Sequence, residues 1–154
     1  MAERADRIEL LTVGHDWERF GEVLELSYEV LYGPFGVERG AEWYHPAHGS
    51  EFCVAVAGDG RLLGTARLLP APGDVSRQVR QVVVVPDARC GGVGRALMAA
   101  IEEMALTEAA EELWLQSRES AVGFYKRLGY ACDGDRFISD LTGIPHRTMR
   151  KRLK

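Results

Sequence analysis

The segment from Val84 to Arg95 reads Val-Val-Pro-Asp-Ala-Arg-Cys-Gly-Gly-Val-Gly-Arg and joins an apolar run to a helical pattern. Chemistry at such a junction belongs to the backbone. A helix N-terminus leaves four N–H groups unpaired and carries about half a positive charge, so it attracts anions. Gly91, Gly92 and Gly94 let an anion approach the main chain, Arg89 and Arg95 add charge on either side, and Cys90 and Val93 complete the turn. The expected ligand is a phosphate. A Walker loop would place Lys and then Ser or Thr after the last glycine, but Arg95-Ala96 stands there; a Rossmann turn would place glycine or alanine where Leu97 stands. A plain strand-to-helix turn is the other reading of the same residues.

Other reactive side chains are sparse. His146 is a candidate general base by residue type, and it also reads as a histidine hydrogen-bonded within a last strand. His45 and His48 stand three apart without an evident third ligand, so no metal site is expected. Cys53, Cys90 and Cys132 form no CxxC pair, which argues against a zinc knuckle or a disulfide framework and fits a reducing cytoplasm. Glu18, Glu22, Glu25 and Glu29 recur every three to four residues and make one acidic helix stripe, either a solvated face or a lure for a cationic amine.

These residues need elements to hold them. Arg7 to Val13 reads as a strand. Asp16 is placed to cap a helix running to about Tyr32, with Gly33-Pro34 as its stop. Residues 33 to 50, including Trp43-Tyr44-His45, read as a loop with one short helix. Phe52–Ala57 and Leu62–Leu69 flank Gly58-Asp59-Gly60 as a hairpin. Val79–Val85 is the most apolar strand, and its valine run predicts burial on both faces. Val93, Leu97, Ile101 and Met104 keep helical spacing. Leu113–Gln116 is a short strand; Ser117 is placed to cap a helix carrying Ala121, Phe124, Tyr125 and Leu128 on one face, with Gly129 as its left-handed stop. Tyr130–Cys132 and His146–Leu153 read as a final strand pair, either of which could pair between chains in a homodimer. The pattern is one α/β domain spanning residues 1–154, with neither repeat nor linker.

The net charge of −4 hides a division. Residues 1–60 carry −8 and residues 61–154 carry +4, so the half with the glycine turn is basic. Sixteen of the 19 basic residues are arginine, which suits bidentate phosphate contacts. No apolar run approaches the roughly 18 residues of a membrane span, the N-terminus lacks a signal core, and no basic tract of the nucleic-acid type occurs.

Val-x-Pro-x-x-Arg-x-x-Gly-x-Gly before an amphipathic helix resembles the acyl-CoA motif of the GCN5-related N-acetyltransferases (GNAT family). Ala121-Val122-Gly123-Phe124-Tyr125-Lys126-Arg127-Leu128-Gly129-Tyr130 resembles that family's A-x-x-F-Y-x-x-x-G-[FY] signature, about 30 residues downstream as in the family. Gly143-Ile144-Pro145-His146 with Met149, together with Gly64-Thr65-Ala66-Arg67-Leu68, looks like the ElaA-like branch. The resemblance implies a GNAT fold: a mixed, mostly antiparallel sheet of six to seven strands flanked by about four helices. It implies direct acetyl transfer from acetyl-CoA to a primary amine of a small molecule or peptide, without metal. Val82 and Val84 would offer backbone groups to the pantetheine arm, the amides from Arg89 to Arg95 would wrap the pyrophosphate, and an N–H near Val84 would polarise the thioester carbonyl. Side chains at Gly92 and Gly94 would block that approach. Tyr125, a core aromatic by spacing alone, becomes the general acid for the thiolate, and His146 a candidate base for an amine whose pKa is about 10.4. Arg118 stands where many relatives have asparagine. The acceptor side, assigned to Glu25, Glu29 and Tyr44, lies where the chain departs most from the family. A domain that holds acyl-CoA without turning it over is the competing reading.

Overall fold

The computed structural model describes residues 7–40, 50–89 and 91–154. Its strands are β1 (Ile8–Val13), β2 (Glu51–Ala57), β3 (Leu62–Leu68), β4 (Ser76–Val84), β5 (Glu112–Arg118), β6 (Ala131–Cys132), β7 (Phe137–Ile138) and β8 (Pro145–Arg152). The helices are α1 (Phe20–Ser27), α2 (Val93–Thr107) and α3 (Val122–Arg127). The strands form one eight-stranded sheet in the order β1-β2-β3-β4-β5-β8-β6, with β7 on the other end of β8. All pairings are antiparallel except β4 with β5.

The mixed, mostly antiparallel sheet agrees with expectation; among the described residues it has eight strands, against six to seven expected, and three α-helices flank it, against about four. The extra strand is β7, two residues whose pairing with β8 leaves little local pattern. The first helix starts later than Asp16 implies. Two turns, Trp17 N–H to Gly14 O and Phe20 N–H to Trp17 O, bring the chain to Arg19, which grips Glu22 with Nε (2.7 Å) and Nη2 (2.9 Å). The helix then widens into a π-helical turn over Tyr28–Tyr32. Ser117 does not cap α3 either: it lies within β5, one residue before the strand ends, its Oγ donates to Arg118 O, and a 3₁₀ turn over Glu119–Ala121 intervenes.

Two cores sandwich the sheet. Val93, Leu97, Met98, Ile101 and Ala105 of α2 pack on one face with Ala66, Leu68, Val79, Leu113 and Leu115, and Met104 packs at the edge. Phe20 and Val23 of α1 pack on the other face with Phe52, Val54 and Leu62. Helix on both faces is why β2 and β3 are buried nearly throughout. Along β4, however, burial alternates instead of being complete: Arg77, Val79, Gln81 and Val83 are buried while Gln78, Arg80, Val82 and Val84 are half-buried. The half-buried residues border a gap in the sheet.

Candidate active site

Strands β4 and β5 pair only over Ser76–Gln78 and Glu112–Trp114. From Leu115 on, β5 stays with β8, out to Arg118 opposite His146, while β4 stays with β3. The paired end is clipped by polar contacts. Ser76 Oγ and Arg150 Nη1 both donate to Glu112 Oε1 (2.9 and 2.8 Å), and Arg150 Nε donates to Asp133 Oδ2 (2.6 Å). Beyond it the sheet opens into a V.

A bulge widens the V. Arg67 opposes Arg80 and Thr65 opposes Val83, so Ala66 faces two residues of β4, and Gln81 takes φ 53°. Positive φ in a non-glycine residue is strained by about 1–3 kcal/mol and persists only where its surroundings impose it. Here they are side chains buried behind the strand: Arg67 Nη1 donates to Gln81 Oε1 (3.3 Å), its Nε and Nη2 donate to Ser50 Oγ (3.2 and 3.1 Å), and Gln81 Nε2 donates to Tyr32 Oη (3.4 Å). Nothing in the spacing of these residues announces this network.

The free edge of β4 faces the V. Val85 N–H donates to Leu63 O on the β3 side (2.8 Å), so by the two-residue period the backbone groups of Val84 and Val82 face the gap. Arg89 Nε reaches Val84 O at 3.2 Å, an arginine holding a strand acceptor that lacks a strand partner. The two strands border a cleft of about 210 Å³, into which Val82, Leu115, Ser117, Tyr125 and His146 are brought together.

At the mouth, Pro86–Ala88 makes one 3₁₀ turn and Gly92, at φ 86°, starts α2 with no side-chain cap. The first-turn amides of Val93, Gly94 and Arg95 therefore lack a capping side chain. The space beside Gly92 is open. Gly94 has a different reason from the one its motif position suggests: a Cβ there would meet Phe124 Cζ at 3.0 Å, so glycine lets α2 and α3 approach each other. Arg61 Nη1 ties Asp87 Oδ2 at 2.6 Å, which holds this carboxyl below its ordinary range and offsets its charge beside the turn. Arg89 and Arg95 are exposed. Cys90 lies outside the described residues.

Tyr125 is 7% exposed, and burial pushes its phenol well above the ordinary value, so it stays protonated at neutral pH. Its ring packs edge-on against Phe124 (5.0 Å) and Tyr130 (5.7 Å). His146 Nδ1 lies 3.0 Å from Ile144 O. A carbonyl only accepts, so this contact puts the proton on Nδ1 and leaves Nε2 as an acceptor.

The acidic stripe does not reach the cleft. Glu25 is gripped by Arg39 (Nη1 2.7 Å, Nη2 2.6 Å), which lies over the Tyr28 ring at 4.1 Å, and neither Glu25 nor Glu29 borders the cleft. Tyr44, with Trp43, His45 and His48, lies outside the described residues. Arg118 does reach it: Nη2 donates to Leu31 O (2.7 Å) and Val30 O (3.3 Å), clamping the π-helical turn to β5.

The sequence profile described as Acetyltransferase (GNAT) domain matches residues 35–153. The chain belongs to the GNAT acetyltransferase family. A UPF0039 protein of Schizosaccharomyces pombe is 36% identical over 97 residues, 62% of this chain and 63% of that protein. The chain thus spans half to about two-thirds of the curated relatives it matches. Among solved structures, a Lactobacillus plantarum protein superposes with TM-score 0.82 at 22% identity, covering 96% of this chain and 99% of that one. Escherichia coli ElaA superposes with TM-score 0.76 at 20% identity, covering 94% and 99%. At these identities the structures share the GNAT fold. No helix of the described residues is long and apolar enough to cross a membrane.

Proposed function

We propose that this GNAT chain moves an acetyl group directly from acetyl-CoA to a primary amine of a small molecule or peptide. The observation that carries the reading is the V between β4 and β5, with a free strand edge running from the glycine turn to Tyr125. The pantetheine arm carries amides that an unpaired strand edge can bond, as in β-strand addition, and the pyrophosphate suits the uncapped start of α2. Acetyl-CoA supplies the activated thioester.

The chain's own groups have the following roles. Val82 and Val84 line up the arm through backbone bonds. Arg89, now on Val84 O, is released from that carbonyl and turns to the phosphates with Arg95. Val84 N–H donates to the thioester carbonyl oxygen and stabilises the negative charge that develops there. His146 Nε2 takes one proton of the acceptor ammonium, directly or through one water, and the neutral amine then adds to the thioester carbon. As the intermediate collapses and the C–S bond breaks, Tyr125 Oη, held protonated by its burial, donates its proton to the departing thiolate, and the second proton shed by the nitrogen as the amide forms restores the phenol. No step calls for a metal or a nucleophilic thiol.

The test is release of free CoA thiol from acetyl-CoA over a panel of amines, peptides and aminoglycosides. Amine-dependent release supports transfer. Saturable acetyl-CoA binding with no amine raising release above the amine-free rate contradicts it and leaves a binding domain. A compartment of reducing cytoplasm and a homodimer formed through the β6–β7 edge belong to the same proposal.

A further inference from the structure

Resting on the acyltransfer reading above, we infer that the acceptor amine carries an anionic group, a carboxylate or a phosphate, which Arg80 and Arg118 hold in the cleft. Among the described residues the cleft wall contains Arg80, Arg118 and His146 and no aspartate or glutamate. Arg80 stands on β4 one residue before the strained Gln81, half-buried, and no described residue bonds or pairs with it. Arg118 stands across the V at the end of β5. It spends Nη2 on two carbonyls and lies over the Phe35 ring at 4.7 Å, with no carboxylate partner among the described residues.

Burial is unfavourable to the Arg118 guanidinium, and no described carboxylate pairs with it or with Arg80. Desolvation draws the Arg118 guanidinium below its ordinary value, the Tyr32 hydroxyl opposes that, and nearby Arg89 adds to it by repulsion. An anion in the cleft would offset the positive charge that these two arginines bring to its walls. The cosubstrate does not supply one at this point, because its pantetheine arm is uncharged and its phosphates belong at the glycine turn. The anion therefore enters with the acceptor. Among the described residues a polycation meets no carboxylate on the cleft wall, and Glu25 is gripped by Arg39 outside it. An anion held by both guanidinium groups would also fix where the amine stands relative to Tyr125 and His146.

The test is calorimetric titration of the full chain saturated with CoA, which blocks turnover. The probes are alanine against alaninamide, glucosamine 6-phosphate against glucosamine, and spermidine. The anionic member of at least one pair should bind about tenfold tighter than its neutral partner and than spermidine, as charge-assisted hydrogen bonds imply. The pair that discriminates tells carboxylate from phosphate. Arg80→Gln should reduce the preference below about threefold with an unchanged melting temperature, since Arg80 bonds no described residue. Arg118→Lys, which keeps the charge and loses the fork, should weaken it less. Equal affinities within both pairs, tighter binding of a neutral member or of spermidine, absence of binding by every probe, or a preference intact in Arg80→Gln would overturn the assignment. Thiol release is a separate readout: if it fails while the anion preference holds, the acyltransfer reading falls and the anion site stands.

Discussion

Tyr125 is where burial and chemistry meet most closely. Its phenol is raised by desolvation from an ordinary 10.0, so its acid form persists through that pH. A rate limited by Tyr125 as proton donor should accordingly show no fall as pH passes 10; a fall centred there would point to an exposed phenol. Tyr125→Phe should lower kcat by about 10²–10⁴, the usual worth of a positioned proton donor, while the melting temperature stays put because no described residue bonds the hydroxyl. An unchanged kcat at saturating substrate would remove the acid role. Cys53 is a contrasting buried group. It sits in the core at 1% exposure and burial pushes its thiol up to about 11, so at pH 8 it is almost wholly the unreactive thiol. Mass spectrometry after iodoacetamide treatment at pH 8 should find Cys53 unmodified in the folded protein and modified after denaturation. The residue scale is also where sequence reading was most uneven. Tyr125 and His146 do border one cleft, as their motifs imply. The acidic stripe is real as spacing, but its state depends on Arg39, a partner 14 residues from Glu25, which no periodicity reveals.

Helices and strands were legible where one face repeats. Val93, Leu97 and Ile101 at helical spacing became α2, and Gly58-Asp59-Gly60 the turn of the β2–β3 hairpin. What escaped is non-local. The bulge at Gln81 exists because buried Arg67, Ser50 and Tyr32 tie its side chain behind the strand, and the π-helical turn is held by Arg118, 87 residues from Leu31. Two glycines set the approach of elements. A Cβ at Gly64 would lie 2.6 Å from Val83 O, against backbone that cannot yield, and one at Gly94 would lie 3.0 Å from Phe124 Cζ. Gly64→Ala should thus destabilise by about 1–3 kcal/mol, the usual range for overpacking, and more than Gly94→Ala, where a ring can shift. Chemical denaturation of the two variants checks the order. Equal stability of both with wild type would mean that β3 and β4 tolerate more separation than the structure allows.

Across the whole molecule, the division of charge near residue 60 acquires a structural meaning on one side only. The basic part contains the turn at α2, with Arg89 and Arg95 in it, together with Arg80 and Arg118, which line the cleft. The acidic part does not face that cleft through its helix stripe; Glu22 and Glu25 are engaged by Arg19 and Arg39. The sheet is closed at one end by the Ser76–Glu112–Arg150–Asp133 clip and open at the other. That asymmetry turns two parallel strands into the walls of a cleft, and the fold agrees with membership of the GNAT family. The central claim is direct transfer within the open V, and one reaction tests it: CoA thiol released and acetylated amine formed, counted in the same sample while the protein's own mass is followed. Direct transfer yields one acetylated amine per thiol released and no acetyl group on the protein at any time. Thiol release without an acetylated amine, or acetyl accumulating on the chain before it reaches the amine, would contradict it.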